Sequence, residues 1–153
     1  MNSTPTLIPP SVQQLCPLVG RLLIAALFIP AGYNKIAGFE GVSGYMAAKG
    51  LPMADVLLVL TIVIELGGGI MILLGWRAAE AALTIALFLI PVTVVFHGFW
   101  AFDDPQLAAE EQRVFMKNIA IIGGLLVVAG LGSGPLSVGR KPAGEPGAGK
   151  PVS

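Results

Sequence analysis

Five polar side chains stand in a strongly apolar sequence: Lys35, Glu65, His97, Lys117 and Asn118. Glu65 lies near the midpoint of "VLLVLTIVIELGGGIMILLG", residues 56–75. His97 is the single histidine, and histidine is the side chain whose unperturbed titration falls near neutrality, which suits proton relay. Lysine holds anionic or carbonyl oxygens by charge-assisted hydrogen bonds, and asparagine by neutral ones. A carboxylate and an imidazole beside such donors are the parts needed to bind a small oxyanion or a carbonyl headgroup and move its protons. Metal chemistry is not expected, since one His and one Glu cannot complete a three- or four-ligand site. The single cysteine, Cys16, excludes an internal disulfide, a CxxC pair and a Cys-ligated iron–sulfur cluster. One histidine likewise excludes bis-His haem within a chain, so no intrinsic cofactor is expected.

The elements that position these residues are membrane helices. The 153 residues are 55% hydrophobic and 12% charged, with mean hydropathy +0.83, where a soluble domain carries about a quarter charged residues. The apolar residues fall in blocks of nearly twenty, long enough to span a bilayer. Nine basic and nine acidic residues balance, and nothing points to nucleic acid. The expected fold is all-α, a four-helix transmembrane bundle with short interfacial helices in the non-cytoplasmic loops.

Four spans are predicted: Cys16 to Asn34, Asp55 to Gly75, Arg77 to Phe99, and Phe115 to Leu131, with kinks at Pro30 and Pro91. Residues 1–14 read as a polar tail, 15–134 as the membrane domain, and 135–153, rich in Gly and Pro, as a disordered tail. "AGFEGVSGYMAAKGLPMA" is expected to hold an interfacial helix around Val42 to Lys49, stopped by Gly50 and Pro52. "AFDDPQLAAEEQRV" carries an aspartate N-cap followed by Pro105. The "GWR" hairpin makes the second and third spans antiparallel neighbours. Counting Lys and Arg gives five on the side of the termini against four on the other, so both termini are expected in the cytoplasm.

This topology gathers the polar residues. The first span exits at Lys35, the third exits at His97, and the fourth enters with Lys117 and Asn118, all toward the non-cytoplasmic end, with Glu65 below them. Glu65 shares a helical face with Thr61, Gly68 and Gly69, and small residues admit a neighbouring helix. An acidic residue at a helix centre costs on the order of 3 kcal/mol on insertion scales. Glu65 should therefore pair with Lys117 or Lys35, be held neutral, or face water. Arg21, about 20 Å from Lys35 at the helical rise per residue, belongs to the opposite surface.

Each residue also has a plainer reading. Glu65 can simply lock helix register, and His97 beside Trp100 fits an aromatic belt. Lys35 and Lys117 can snorkel, Asn118 can crosslink helices, and Gly67–Gly69 reads as packing.

"GYNKIAGF", "GYMAAKGLP", "ELGGGIMILLG", "FHGFW" and "FMKNIAIIGGLL" occur in this order across roughly Leu18 to Leu131. Together they resemble the DoxX family of small bacterial inner-membrane proteins. The resemblance implies a four-helix membrane bundle. It also implies a link to a thiosulfate:quinone oxidoreductase, the activity associated with the family's namesake. Glu65, His97, Lys117, Asn118 and Lys35 are the positions matching its recurrent polar residues.

The leading expectation is a subunit of a membrane oxidoreductase. Glu65 and His97 would be its catalytic proton carriers, and Lys35, Lys117 and Asn118 would bind a quinone headgroup or a small sulfur oxyanion. A redox partner subunit and quinone as a bound co-substrate go with it. The alternatives are a non-catalytic scaffold that docks a redox partner and, third, a small proton or solute transporter. No convincing inverted repeat supports the last.

Overall fold

The computed structural model describes residues 8–138. Residues 1–7 of the expected N-terminal tail and 139–153 of the expected C-terminal tail lie outside the described residues. The described chain is helical throughout: α1 (Pro10–Ala37), α2 (Phe39–Ala48), α3 (Ala54–Ile62), α4 (Gly68–Leu74), α5 (Ala78–Phe96) and α6 (Pro105–Leu131). A π-helical turn, Val63–Gly67, joins α3 to α4 in one span, Ala54–Leu74, and a 3-10 turn, Phe99–Ala101, follows α5. Four helical rods are long and apolar enough to cross a membrane, and α2 is the interfacial helix between the first two.

Local sequence explains most boundaries. Pro10 opens α1, where its missing N–H costs nothing, so this helix starts six residues before the expected span. Residues 11–15 face outward and are polar enough to read as tail. At the other hairpin, Gly75 takes the left-handed conformation (φ 72°) that closes α4, and Arg77 (φ 47°) follows it. The Asp104 side chain accepts a hydrogen bond from Gln106 N–H at 2.8 Å and caps α6. The acidic stretch after it is therefore the first turns of the fourth span rather than a separate interfacial helix. Pro30 and Pro91 both sit inside unbroken helices.

The core is thin because the bundle turns most of its bulk toward lipid. Phe28, Ile72, Ala82, Ile85 and Leu125 pack at the centre, while Leu23 (68% exposed) and Val127 (59%) point outward. In a bilayer, helices associate through close packing rather than hydrophobic burial, and small residues set the distance. A Cβ on Gly32 of α1 would lie 2.9 Å from both the backbone N and the Cβ of Leu66, in the π turn. One on Gly69 would meet Ile29 and Phe28 of α1, and one on Gly68 would meet the Ile85 side chain of α5. Two of the three consecutive glycines are thus contact points with two different neighbours.

Arg21 is buried (1% exposed) at the end of the bundle away from Lys35. Its Nη1 donates to the carbonyls of Ile72 (3.4 Å) and Leu73 (3.3 Å), and its Nη2 donates to Leu136 O. The first two are last-turn carbonyls of α4, where Ile72 O also accepts from Gly75 N–H at 3.1 Å, and a cation suits the negative end of the helix dipole. The chain after α6 folds back over this guanidinium, with Val138 N–H donating to Leu74 O at 2.9 Å. Residues 135–138 of the expected tail are therefore held against the bundle. Replacing Arg21 with Met is expected to cost at least about 2 kcal/mol, since its hydrogen bonds from a charged group to Leu73 O, Leu136 O and Ile72 O are lost. Hydrogen exchange at the Val138 amide should accelerate with it, and an unchanged exchange rate would show that Arg21 does not hold this segment.

Candidate functional site

Lys35, Glu65 and His97 line one cavity of about 240 Å³ at the end of the bundle where α1 and α5 finish. Lys35 lies in the last turn of α1. Its Nζ donates to Glu65 Oε2 at 2.7 Å, with the Glu65 side chain 8% and the Lys35 side chain 26% exposed. Of the two cations that the sequence offers Glu65, Lys35 is the partner. The carboxylate projects from the π turn, and such wider turns occur frequently at functional sites.

His97 caps the C-terminus of α5, its backbone N–H donating to Thr93 O at 3.0 Å. Its Nδ1 lies 2.7 Å from Glu111 Oε2 on α6. Glu111 is the residue that sequence reasoning missed. With α6 starting at Pro105, Glu111, Phe115, Asn118 and Leu125 recur at helical spacing, and this register was the available signal. Starting the span at Phe115 left Glu111 in a loop.

Asn118 is buried below His97, and its Nδ2 donates to Thr93 Oγ1 at 3.1 Å. Thr93 Oγ1 in turn donates to Leu89 O at 2.6 Å. Asn118 thus ties α6 to α5 and does not line the cavity. Lys117 is exposed on the outer side of α6. Neighbours in a helix point about 100° apart, so Lys117 and Asn118 cannot both face inward. The structure brings together Lys35, Glu65 and His97, and leaves Lys117 and Asn118 apart from them.

Two aromatic rings line the cavity. From α2, Tyr45 stacks on Phe96 at 5.8 Å between centroids, and both line the cavity. Lys49 Nζ lies 5.7 Å from the Tyr45 ring and 5.8 Å from that of Phe102. Phe99, Trp100 and Phe115 pack edge to face beside them. Ser43 of α2 donates its hydroxyl proton to Asp55 Oδ1 at the start of α3. These contacts hold α2 in place as one wall.

Chemically, the cavity presents a cationic donor, a carboxylate and an imidazole. With Nδ1 engaged by Glu111, Nε2 is the nitrogen left for a molecule inside. Among the described residues, no three His, Cys, Asp or Glu side chains gather as a metal site would require.

Residues 16–98 match the DoxX family. The chain belongs to the DoxX family. The matched stretch contains Lys35, Glu65 and His97 and ends just after the histidine. Curated relatives agree with it. The inner membrane protein YqjF of Escherichia coli (strain K12) is 40% identical over 123 residues, covering 80% of this chain and 88% of that protein. The inner membrane protein YphA of the same organism is 29% identical over 124 residues, covering 81% and 88%. The ER-derived vesicles protein ERV29 of Saccharomyces cerevisiae is 30% identical over 81 residues, which cover 53% of this chain and 26% of that protein. No solved structure matches. This DoxX protein is accordingly a multi-pass inner-membrane protein of four candidate spans, with the bilayer as its environment.

Proposed function

We propose that this DoxX protein is a subunit of a quinone-linked membrane oxidoreductase, and that its Lys35–Glu65–His97 cavity holds a quinone headgroup or a small sulfur oxyanion. One observation carries the reading: an ionisable pair at membrane depth borders a cavity that the chain's single histidine also lines. Intramembrane ionisable groups are costly and mark functional sites by default.

In this reading Lys35 is shared between Glu65 and an oxygen of the ligand, stabilising negative charge as it develops. Reducing a quinone to its quinol takes up two electrons and two protons. His97 Nε2 gives one proton to a quinone oxygen, and Glu111 holds the ring and stabilises the imidazolium. Glu65 passes the second. The two electrons come from a small sulfur oxyanion of the thiosulfate class, which is oxidised as the quinone is reduced, directly or through a redox partner subunit, and this chain contributes no cofactor of its own. Asn118 steadies α5 below His97, and Lys117 is placed for lipid headgroups or that partner. Both termini lie in the cytoplasm, which puts the cavity at the outer end.

The test uses the full chain in nanodiscs with a quinone analogue and, separately, thiosulfate. One of the two is expected to bind, and Glu65→Gln and His97→Ala should each weaken it at least about tenfold, the scale of losing a charge-assisted hydrogen bond. Binding of neither ligand, or variants equal to wild type, would sink the proposal.

A second reading, the non-catalytic scaffold, is favoured by the pair's completeness: Lys35 and Glu65 already satisfy each other at 2.7 Å. It predicts a stability change at Glu65 with no ligand to lose.

A further inference from the structure

The cavity has a neighbour. A second hollow of about 220 Å³ lies between the second and third spans, bordered by Leu57 and Leu60 of α3 and by Phe88, Pro91 and Val95 of α5. Met46, Thr61, Val92 and Phe96 line both spaces, so the two adjoin. The first is polar on one side through Lys35, Glu65 and His97. The second is apolar throughout, because the one hydroxyl on its wall, Thr61 Oγ1, donates to Leu57 O of its own helix at 2.9 Å.

The hollow exists because the two spans diverge. Below the π turn, Gly68 brings α4 against Ile85 of α5 so closely that a Cβ would lie 2.8 Å from its side chain. Above the turn, α3 packs on α1 and α2 and makes no close approach to α5. The wedge between them opens outward, where Leu60 (52% exposed) and Val95 (44%) face the surface at a depth that lipid occupies.

We infer that the cavity is filled sideways from the bilayer through the α3–α5 wedge, and that its ligand is an amphiphile. Its polar head would lie against Lys35 and His97, and its flexible apolar tail would rest in the Leu57–Val95 hollow. This rests on the reading that the cavity takes a ligand at all. It also decides between the two ligands considered there, because a water-soluble oxyanion gains nothing from an apolar hollow that opens to lipid. Burying a tail among aliphatic side chains gains over lipid through close packing rather than through the hydrophobic effect. The hollow also supplies orientation, holding the head at the depth of the two charge pairs.

The experiment pairs two benzoquinones with the same ring, one bearing only methyl groups and one bearing a decyl chain. Binding is measured to the full chain in nanodiscs, with concentrations expressed per lipid so that partitioning cancels. Wild type is expected to favour the decyl probe at least tenfold. Val95→Trp, which fills the hollow from α5, should erase that preference and change the methyl probe's affinity less than twofold. Leu60→Trp, which fills it from α3, should do the same and guards against a folding defect in either variant. Equal wild-type affinity for the two probes overturns the sideways route and leaves the functional reading standing. So does a decyl preference that survives both tryptophans, or a loss of both probes together in both variants. Binding of neither probe to wild type overturns the sideways route together with the quinone form of the functional reading, whose oxyanion form is decided by the thiosulfate measurement.

Discussion

Lys35→Met is expected to destabilise the protein by about 3 kcal/mol, and Glu65→Gln by only about 1 kcal/mol, although each removes the same ion pair. The asymmetry comes from where the two charges sit. Without Lys35, the Glu65 carboxylate stays in the π turn with a side chain only 8% exposed and its cation gone. Without the Glu65 charge, Lys35 can swing toward the nearby interface, since it lies in the last turn of α1 and is 26% exposed. The double change Lys35→Met with Glu65→Leu removes both desolvated charges and is expected to come within about 1 kcal/mol of wild type. Reversible unfolding in mixed detergent micelles reads all three. Equal losses for the two single variants would show that the pair is not buried as described. The double variant also separates the two functional readings. A proton-handling site loses its ligand while keeping its fold, whereas a scaffold whose pair only locks register loses nothing that can be measured beyond stability.

The other large effect comes from a residue with no side chain. Gly32→Ala is expected to cost about 2–3 kcal/mol, the upper part of the range for overpacking a tight contact. The added methyl would lie 2.9 Å from the Leu66 backbone nitrogen, which cannot yield as a flexible side chain can. Relief requires α1 to move away from the π turn, and that motion draws Lys35 and Glu65 apart as well. Gly32→Ala should therefore weaken ligand binding although Gly32 lines no part of the cavity. Gly123→Ala is the control: a Cβ there meets nothing within 4 Å, and replacing a helical Gly with Ala is favourable by up to about 1 kcal/mol. If the two alanine variants prove equally stable, the close α1 crossing is wrong.

The spans were legible because bilayer thickness imposes a length of apolar sequence that nothing else in a small protein requires. Their ends were less so. Gln13 and Gln14 belong to α1, and Glu110 to Arg113 to α6, yet each stretch is polar enough to pass for a loop. At an interface, polarity no longer distinguishes helix from coil. The pairing of Glu65 with a lysine followed from the cost of an isolated carboxylate, but choosing Lys35 over Lys117 needed the rotation of α6. The same rotation hid Glu111 and set Lys117 and Asn118 on different faces. Arg21 was placed correctly at the far end, but its burial depends on carbonyls of Ile72, Leu73 and Leu136, and backbone acceptors leave no trace in a residue pattern. The π turn was invisible for a similar reason. "VIELG" has no residue that marks widened hydrogen bonding, and the close approach of Gly32 to Leu66 within it is equally absent from the residue pattern.

That turn carries a consequence for ancestry. An i→i+5 hydrogen bond encloses one more residue than the ordinary i→i+4 bond, so Val63–Gly67 accommodates one residue beyond regular α-helical register. Losing a single amino acid there would let the span become a plain α-helix with α3 and α4 keeping their faces, so that the change falls on the turn itself, which carries Glu65. The glycine contacts with α1 and α5 would persist, while the turn that aims the carboxylate at Lys35 would be gone. Chains of similar design whose second span is one residue shorter should thus lack the acid as well. The length of this one helix, counted in residues, would then record which descendants kept the chamber.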